Sequence, residues 1–505
     1  MKVQKIIIAL ILSMCCPLMI DGQHLDLSNI NRSLNQMMPE MIKEHQSLVS
    51  IPNDSNYPKD MDVNVEWIKN AYEKRGYKVS VLKTETIPVI FCEYEVSKDL
   101  PTILFYIHYD GQPVDPSEWD QDDPFNPVIR NETGALVSYE NITQWNDDWR
   151  IYARAAADDK APIMMMLYAM DLMKHHDLDP AYNIKIVMDG EEERGSAGLK
   201  YSLNEYRSYY DADKLIIMDG PAHPTNDPTL TFGCRGIASA TLTVYGPRTS
   251  QHSGHYGNYA PNPGFLASNL LASMKDVNGR VLIDGFYDNV KMTPEVLKIL
   301  NEVPDDPKMI NKVIGIAQPD KVGDSYQESL QYPSLNIRGM ASGWIGKQTR
   351  TIVPDRTIVQ LGIRLVMETD GNEMLDLVRR HIERQGFTVL DREPTEEERL
   401  TIPRLARFMG RHATNAFRTD IDSEMGQWLS TALEKVHGKK PIRIRTMGGT
   451  IPVTPMIKEL DIPAVIVPMV NMDNNQHSPN ENIRVGNLRT GVLTCMGILT
   501  ETISY

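Results

Sequence analysis

Four short apolar runs along the chain are each followed by side chains that can bind a metal ion. Each run is too short for a helix of normal length and ends in a polar loop, which is typical of a buried strand. Because parallel strands of an open α/β sheet present their carboxyl ends to one crevice, we expect the side chains that follow to meet there. The runs are 102–107, 183–188, 214–218 and 464–470, and they are followed by His108, by Glu192 and Glu193, by Asp219 and by His477.

Helical patterns alternate with these runs and indicate the fold class. One helix is expected to begin near Pro162 and another to cover 485–502. Strands that alternate with helices predict a doubly wound α/β domain with a mostly parallel sheet. The stretch 236–420 differs, because its strand patterns at 236–245 and 350–366 alternate apolar and polar residues and are accompanied by long helices. This combination of alternating strands and long helices predicts an inserted α+β domain whose antiparallel sheet is covered on one face.

The beginning of the chain has the pattern of a secretory signal peptide. Two lysines precede an apolar run of about 15 residues, which is shorter than the roughly 20 residues that a membrane span needs. We therefore expect a secreted or periplasmic protein with no transmembrane span in the mature chain, or a lipid-anchored one if Cys15 or Cys16 is modified. The predicted segments are 1–22 for the signal peptide, 23–235 and 421–505 for the two parts of the α/β domain, and 236–420 for the inserted domain.

The candidate ligands are nitrogen and oxygen donors, and the net charge of −15 argues against nucleic acid as the main partner. The widely spaced cysteines offer no thiolate site, so the set suits two divalent ions such as zinc, manganese or cobalt. The pair Asp158-Asp159 adds two carboxylates to the candidate ligands, and a two-ion site needs one carboxylate that bridges the ions. It also needs a free carboxylate to take a proton from water, and the doublet Glu192-Glu193 offers one. Any one of these acids could be a solvated loop residue, but four agreeing strand ends favour a metal site.

Longer motifs cover nearly the whole chain after residue 100. They are His108-Tyr-Asp110-Gly-Gln-Pro-Val, Ala153-Arg-Ala-Ala-Ala-Asp158-Asp159-Lys160, Glu192-Glu193-Arg-Gly-Ser, Thr249-Ser-Gln-His252-Ser-Gly, Tyr332-Pro-Ser-Leu-Asn-Ile-Arg-Gly, Thr351-Ile-Val-Pro, Ile363-Arg364-Leu-Val, Gly448-Gly449-Thr450-Ile-Pro-Val and His477-Ser-Pro-Asn-Glu. In this combination the chain resembles the di-metal aminoacylase/carboxypeptidase metallopeptidase family. It is most similar to the branch that contains the carnosinases and the cytosolic nonspecific dipeptidases.

The resemblance implies a centre of two divalent ions that share one carboxylate. The first ion would be bound by His108, Asp158 and Asp219, and the second by Asp158, Glu193 and His477. Zinc is the first expectation for both ions, with manganese or cobalt as alternatives. Glu192 would be the general base, and Asp110 would hold the ring of His108.

The resemblance also implies that the inserted domain is a lid and dimerisation domain. In a homodimer, His252 would reach across to the other subunit and stabilise the oxyanion of the reaction, a role that needs a preorganised donor. Arg364 would bind the carboxylate of the substrate, for which a planar fork of donors is suited. Thr351, Gly449 and Thr450 would hold the rest of the substrate backbone.

The chain departs from the family pattern at a few positions. Ala155 and Ala161 stand where members of the family usually have glycine, and a methyl group there is compatible with the backbone if φ is negative. Glu191 extends the acidic doublet to a triplet. Alignment by the Arg-Gly-Ser that follows assigns the chemistry to Glu192 and Glu193. Thr450 replaces a more usual serine and keeps the hydroxyl.

These observations predict a di-metal hydrolase that cleaves dipeptides or small peptides with a free carboxylate. The alternative of the same fold is an amidohydrolase that removes the acyl group from N-acyl amino acids. An alternative of another class is a catalytically silent secreted binding protein. The complete set of candidate ligands together with Glu192 argues against that last alternative, because a silent relative would be expected to lose at least one of them.

Overall fold

The computed structural model describes residues 25–503. The helices, in chain order, are α1 (Leu27–Val49), α2 (Pro58–Glu73), α3 (Lys160–His175), α4 (Ala197–Glu205), α5 (Ser253–Tyr256), α6 (Pro263–Met274), α7 (Pro294–Asn301), α8 (Pro307–Ile314), α9 (Tyr326–Ser329), α10 (Gly371–Arg384), α11 (Glu396–Thr401), α12 (Glu424–His437), α13 (Thr454–Leu460) and α14 (Val485–Thr500). The strands are β1 (Lys78–Leu82), β2 (Val89–Tyr94), β3 (Thr102–His108), β4 (Val128–Arg130), β5 (Leu136–Val137), β6 (Arg150–Tyr152), β7 (Asn183–Asp189), β8 (Lys214–Ile217), β9 (Thr229–Thr231), β10 (Gly233–Cys234), β11 (Gly236–Tyr245), β12 (Gln251–His252), β13 (Ser334–Ala341), β14 (Ile352–Val353), β15 (Arg356–Leu365), β16 (Thr388–Leu390), β17 (Leu405–Thr414), β18 (Phe417–Arg418), β19 (Ile442–Ile444), β20 (Ala464–Ile466) and β21 (Asn482–Arg484).

The largest sheet has eight strands in the order β1-β2-β7-β3-β8-β20-β9-β19. Its centre is parallel, because β3 pairs in parallel with both β7 and β8, and β8 pairs in parallel with β20. The antiparallel pairs lie toward the edges, between β1 and β2, between β2 and β7, and between β20 and β9. The four apolar runs of the sequence are therefore neighbouring strands, as expected.

Helices cover both faces of this sheet. Ile103, Phe105 and Ile107 of β3 pack in a core that includes side chains of α1, α3, α12 and α14. Leu104 and Tyr106 point to the other face and pack in a second core, with side chains of α4 and α13. Burial on both faces explains why the strand is a continuous apolar run rather than an alternating one. The predicted doubly wound α/β class is confirmed.

A second sheet of five strands is inserted into this arrangement, in the order β13-β15-β11-β17-β16. It is antiparallel except for the pair of β16 and β17. Helices α6 and α10 contribute to a core on one of its faces. The predicted strand at 350–366 is interrupted between Val353 and Arg356. Pro354 lies in this gap, and it has no N–H to donate to a ladder.

The predicted signal peptide at 1–22 lies outside the described residues. Between residues 25 and 503, no helix has both the length and the apolar character that a membrane crossing requires.

Candidate metal centre and substrate site

His108 lies at the carboxyl end of β3 and is held between two carboxylates. Its Nδ1 lies 3.3 Å from Oδ1 of Asp110, and its Nε2 lies 3.0 Å from Oδ1 of Asp158. Burial lowers the pKa of His108, but the contacts with Asp110 and Asp158 outweigh this effect and raise it well above its ordinary value. Asp110 also accepts hydrogen bonds from the backbone N–H groups of Glu192 and Glu193, at 3.1 and 3.2 Å. Asp110 therefore fixes the imidazole and the acidic turn relative to each other.

Asp158 belongs to two groups of potential metal ligands. In the first group, ligand atoms of His108, Asp158, Asp159 and Asp219 all lie within 4.8 Å of one another, and the second group comprises Asp158, Glu193 and His477. His477 Nε2 is 3.2 Å from both Asp158 Oδ2 and Glu193 Oε2. Burial raises the pKa of Asp158, but its bonds to His108 and His477 lower it below its ordinary range. A carboxylate shared by two clusters is the arrangement that a two-ion centre needs.

The three glutamates of the acidic triplet, Glu191 to Glu193, have different surroundings. Glu191 Oε2 accepts the backbone N–H of Gly198 at 3.0 Å and a hydrogen bond from Thr86, so this carboxylate supports the start of α4. Burial raises the pKa of Glu192 well above its ordinary value, and Asp219 and Glu193 raise it further. Burial and Asp158 raise the pKa of Glu193 to about 7. Glu193 is a member of the second ligand group, and Glu192 is close enough to Asp219 and Glu193 for their charges to affect its ionisation. The roles predicted for these two residues stay predictions.

Asp159 was not assigned a ligand role from the sequence, although its side chain joins the first group. It is buried, and its Oδ2 accepts the backbone N–H of His108 at 3.1 Å. Burial raises the pKa of Asp159, and the neighbouring carboxylates of Asp219 and Asp158 contribute to the increase. The doublet Asp158-Asp159 was the signal in the sequence, but spacing alone does not tell which member faces an ion.

The chemistry of the two groups fits divalent ions. Five carboxylates, those of Asp158, Asp159, Glu192, Glu193 and Asp219, are close enough to perturb one another's ionisation. Burial and Asp158 raise the pKa of Asp219 to about 6. Packing several acids together in a buried site is unfavourable unless cations offset their charge. Imidazole and carboxylate donors without thiolates suit zinc and related ions.

Ala155 has a left-handed backbone close to this centre. Its φ is +58°, so the expectation that the methyl group would be accommodated by a negative φ is wrong. This conformation costs a non-glycine residue about 1–2 kcal/mol, because Cβ approaches the next carbonyl oxygen. Ala161, the other departure from the family pattern, lies in the first turn of α3, where φ is negative.

Arg364 and the Gly449-Thr450 turn meet between the two sheets. Nη1 of Arg364 donates to Oγ1 of Thr450 at 2.6 Å, and that hydroxyl donates to the carbonyl of Arg235 at 2.5 Å. The N–H of Arg235 donates in turn to the carbonyl of Gly449, at 3.1 Å. Three of the residues predicted to bind substrate are therefore brought together. Arg235 joins them without having been predicted.

The side chain of Arg235 is buried at 7% exposure with no acidic partner among the described residues. Its Nη2 donates to the carbonyl of Tyr332 at 2.9 Å, and its Nε has no hydrogen-bond partner there. Burial and the positive charge of Arg364 lower its pKa to about 10. The segment Gly233-Cys-Arg-Gly before β11 was the signal in the sequence, but only the fold shows that two guanidinium groups adjoin each other.

His252 and Thr351 are not brought to the cluster within one chain. His252 lies on β12 opposite Ile352 of β14, and Thr351 accepts the N–H of Ser253 at 3.1 Å. The imidazole is exposed, and its Nδ1 accepts the backbone N–H of Gly254 at 3.0 Å. Their predicted roles stay predictions.

Comparison with known proteins identifies the family. The model of peptidase family M20/M25/M40 matches residues 104–501, which is most of the chain. The chain belongs to this family. The chain is 27% identical over 412 residues to the Cys-Gly metallodipeptidase of Schizosaccharomyces pombe, a match that covers 80% of both proteins. It is 27% identical over 413 residues to the human Beta-Ala-His dipeptidase, covering 80% of this chain and 75% of that enzyme.

Solved structures of the family have the same fold. An M20 family metallo-carboxypeptidase from Sulfolobus solfataricus superposes with a TM-score of 0.73 at 27% identity, over 92% of this chain and 99% of the other. Human carnosine dipeptidase 1 gives a TM-score of 0.71 at 23% identity, over 95% and 99%. The resemblance stated from the motifs is confirmed, and so is the prediction of a metallopeptidase. The silent binding protein is not favoured.

The prediction of a secreted, periplasmic or lipid-anchored location is wrong. Cys-Gly metallodipeptidases of three yeasts match the chain, and these relatives are cytosolic enzymes. The prediction rested on the apolar run near the N-terminus alone, which lies outside the described residues. An apolar run behind two lysines is a compositional signal, and it does not by itself establish export.

Proposed function

We propose that the protein hydrolyses dipeptides with a free C-terminal carboxylate, using water that two divalent ions would activate, with zinc as the first candidate. The observation that carries this proposal is the position of Asp158 between two ligand groups, with Glu192 beside them. His108, Asp158 and Asp219 would hold one ion, and Asp158, Glu193 and His477 the other. The names of the relatives, which include Cys-Gly and Beta-Ala-His dipeptidases, support a dipeptide substrate.

Glu192 is the general base of the proposed reaction. Two divalent ions bound here would supply Lewis acidity for the scissile carbonyl and for the attacking water. Glu192 takes a proton from that water and passes it to the nitrogen of the leaving amine. Burial raises the pKa of Glu192, which suits a group that must hold the proton between the two steps.

The substrate is oriented by its carboxylate. Arg364, with Thr450 and the backbone of Gly449, forms the proposed subsite, and the nearby charge of Arg235 adds to its attraction for an anion. A planar guanidinium matches the two oxygens of a carboxylate. This subsite explains why a free C-terminal carboxylate would be required.

His252 and Thr351 would complete the site from a second subunit of a homodimer. The proposed lid and dimerisation domain is 236–420, and the catalytic domain comprises 23–235 and 421–505. Because Nδ1 of His252 accepts the N–H of Gly254, the proton of the neutral ring lies on Nε2. This N–H is held ready to donate to the oxyanion that develops on the carbonyl oxygen.

The test is hydrolysis of a panel of dipeptides, with N-acyl amino acids beside them. The native chain and Glu192→Gln are each stripped of metal and reloaded with zinc or manganese. We expect metal-dependent cleavage of dipeptides by the native chain. In Glu192→Gln the rate should fall about 100- to 10,000-fold while two ions remain bound.

Cleavage of N-acyl amino acids in preference to dipeptides would replace the proposal with an amidohydrolase. A native chain that binds no ions would contradict it altogether.

A further inference from the structure

Glu481 connects the two loops that carry the candidate metal ligands. It lies four residues after His477 and directly before β21, and it is 1% exposed. Its backbone carbonyl accepts the N–H of Ala153 at 3.1 Å. The loop of His477 is thereby joined to the loop that contains Asp158.

The carboxylate of Glu481 is surrounded by donors from the Asp158 loop. Its Oε1 accepts the backbone N–H groups of Ala157 at 3.1 Å and Asp158 at 2.9 Å. Its Oε2 accepts the N–H of Ala155 at 2.9 Å and Nη1 of Arg154 at 2.7 Å. One buried side chain therefore satisfies backbone donors that secondary structure leaves unpaired.

This set of bonds explains how Ala155 keeps its left-handed backbone. A residue with a Cβ adopts φ of +58° only where its surroundings enforce that conformation. The bond from the Ala155 N–H to Glu481 and the bonds from Ala157 and Asp158 hold the segment on both sides of the strained residue. The turn directs the carboxylate of Asp158 toward both His108 and His477.

We propose that Glu481 is a positioning residue whose carboxylate holds the 154–158 segment so that Asp158 reaches both ligand groups at once. The inference rests on the proposed two-ion function. Glu481 belongs to neither ligand group, so it would act through Asp158 on one side and through the His477 loop on the other. Arg154 supports the same link, because its Nη2 donates to the carbonyl of Ser478 at 3.4 Å.

The test is metal binding by Glu481→Gln. The amide keeps the size of the side chain but replaces one acceptor oxygen with a donor, which then faces N–H groups. We expect zinc affinity to fall about 10- to 100-fold for at least one ion, as when a group that orients a metal ligand is lost. Affinity is measured by competition with a chelator, and stoichiometry by metal analysis after dialysis. In the reloaded variant, kcat should fall while KM for the dipeptide changes little.

The matched control is Glu328→Gln. Glu328 is a buried carboxylate of α9 that belongs to neither ligand group, and its Oε2 accepts the N–H of Asp324 at 2.7 Å. Replacing this carboxylate should lower the midpoint temperature of unfolding without changing the affinity for zinc. A loss of affinity that is equal in the two variants would overturn the proposal, because it would reflect general destabilisation.

A second variant tests the link to Ala155. If Glu481 holds a strained residue in place, adding Ala155→Gly to Glu481→Gln should restore part of the zinc affinity, since glycine adopts positive φ without strain. If Glu481→Gln does not fold, Glu481→Asp replaces it. The shorter side chain keeps the charge but cannot reach all the donors, and we expect an affinity loss of about 10-fold.

Unchanged affinity for both ions in a folded Glu481 variant would overturn the inference and leave the proposed function intact. A native chain that binds fewer than two ions would overturn both. The two failures are therefore distinguished by the native protein alone.

Discussion

Arg235 brings a second positive charge next to Arg364, in a place where no acid of residues 25–503 forms an ion pair with it. A buried, unpaired guanidinium is costly unless an anion arrives to neutralise it. We predict that Arg235→Gln raises KM for dipeptides about 10- to 100-fold, the range expected for a lost hydrogen bond to a charged group. The same variant should cleave dipeptides whose carboxylate is replaced by an amide as well as the native chain does.

The measurement is the ratio of kcat/KM for a dipeptide and its C-terminal amide. Arg364→Gln should reduce this ratio in the same way. Arg404→Gln, on the exposed surface of the inserted domain, should leave it unchanged. An equal loss on both substrates in Arg235→Gln would show that Arg235 supports the fold and not the recognition of carboxylate.

Ala155 and Ala161 provide a matched pair for the cost of backbone strain. Ala155→Gly should raise the free energy of unfolding by about 1 kcal/mol, because glycine relieves the strain at positive φ. Ala161→Gly should lower it by about 1 kcal/mol, because Ala161 lies in α3 and glycine disfavours helices. Urea unfolding of both metal-free variants checks the prediction. A destabilised Ala155→Gly would mean that the surrounding bonds leave little strain to relieve.

At the scale of elements, hydrogen bonds with α1 hold the Asp158 loop in place. His45 on this helix is fully buried, and its Nε2 lies 3.0 Å from the carbonyl of Ala156, to which it donates in the neutral form. Nζ of Lys160 donates to the carbonyl of Leu48 in the last turn of the same helix at 3.0 Å and to the carbonyl of Ile51, just after the helix, at 2.9 Å. The loop is thus fixed between α1 and Glu481.

His45 makes this support sensitive to acid. Burial lowers the pKa of His45 to about 4 from an ordinary value near 6.5. A depressed pKa means that the stabilisation is complete above pH 6.5 and is lost as the pH falls toward 4. The native chain should therefore lose on the order of 3 kcal/mol more than His45→Gln across this window. Chemical unfolding of both metal-free proteins at several pH values tests this. Parallel pH profiles would contradict it.

The elements themselves could be largely predicted from the sequence, because local patterns determine them. The run before His108 is apolar over its whole length, and β3 is buried on both faces. Candidate ligands such as His108, Asp219 and His477 could be proposed from the sequence because they follow strand ends and lie in recognisable motifs, whereas Asp159 was not singled out from its neighbour Asp158.

The contacts of Glu481 and Arg235 could not be predicted. Glu481 is more than 320 residues away in sequence from the N–H groups that it accepts. The left-handed Ala155 depends on that distant carboxylate, so no local pattern indicated it. Arg235 is similar, because it lies just before β11 while its neighbour Arg364 lies on β15, far along the chain.

At the scale of the whole molecule, exposed apolar side chains flank the β12–β14 ladder that carries His252. Tyr259 is 87% exposed and Ile345 is 88% exposed, with Tyr256 and Trp344 also exposed nearby in sequence. Exposed apolar groups of this kind mark interaction surfaces. They support the proposal that this part of the inserted domain meets a second subunit, and that His252 acts there.

Complementation between two inactive variants tests this arrangement. In the proposed homodimer, each site combines Glu192 of one subunit with His252 of the other. His252→Ala should lose about 100- to 1,000-fold in kcat, because an oxyanion donor is removed. When His252→Ala and Glu192→Gln are coexpressed in equal amounts, half of the dimers are mixed, and each mixed dimer has one complete site. We therefore expect about one quarter of the native activity.

The mixed dimers are then isolated with two different affinity tags and should have about half of the native activity, because one of their two sites is complete. Their activity is compared with that of each parent variant. If His252 acted within its own chain, every site in the mixed dimer would lack one of the two groups, and no activity above the parents would appear. A native chain that is monomeric and fully active at the assay concentration would contradict the proposal directly. Recovered activity would show that the active site is complete only when the inserted domains of two chains meet.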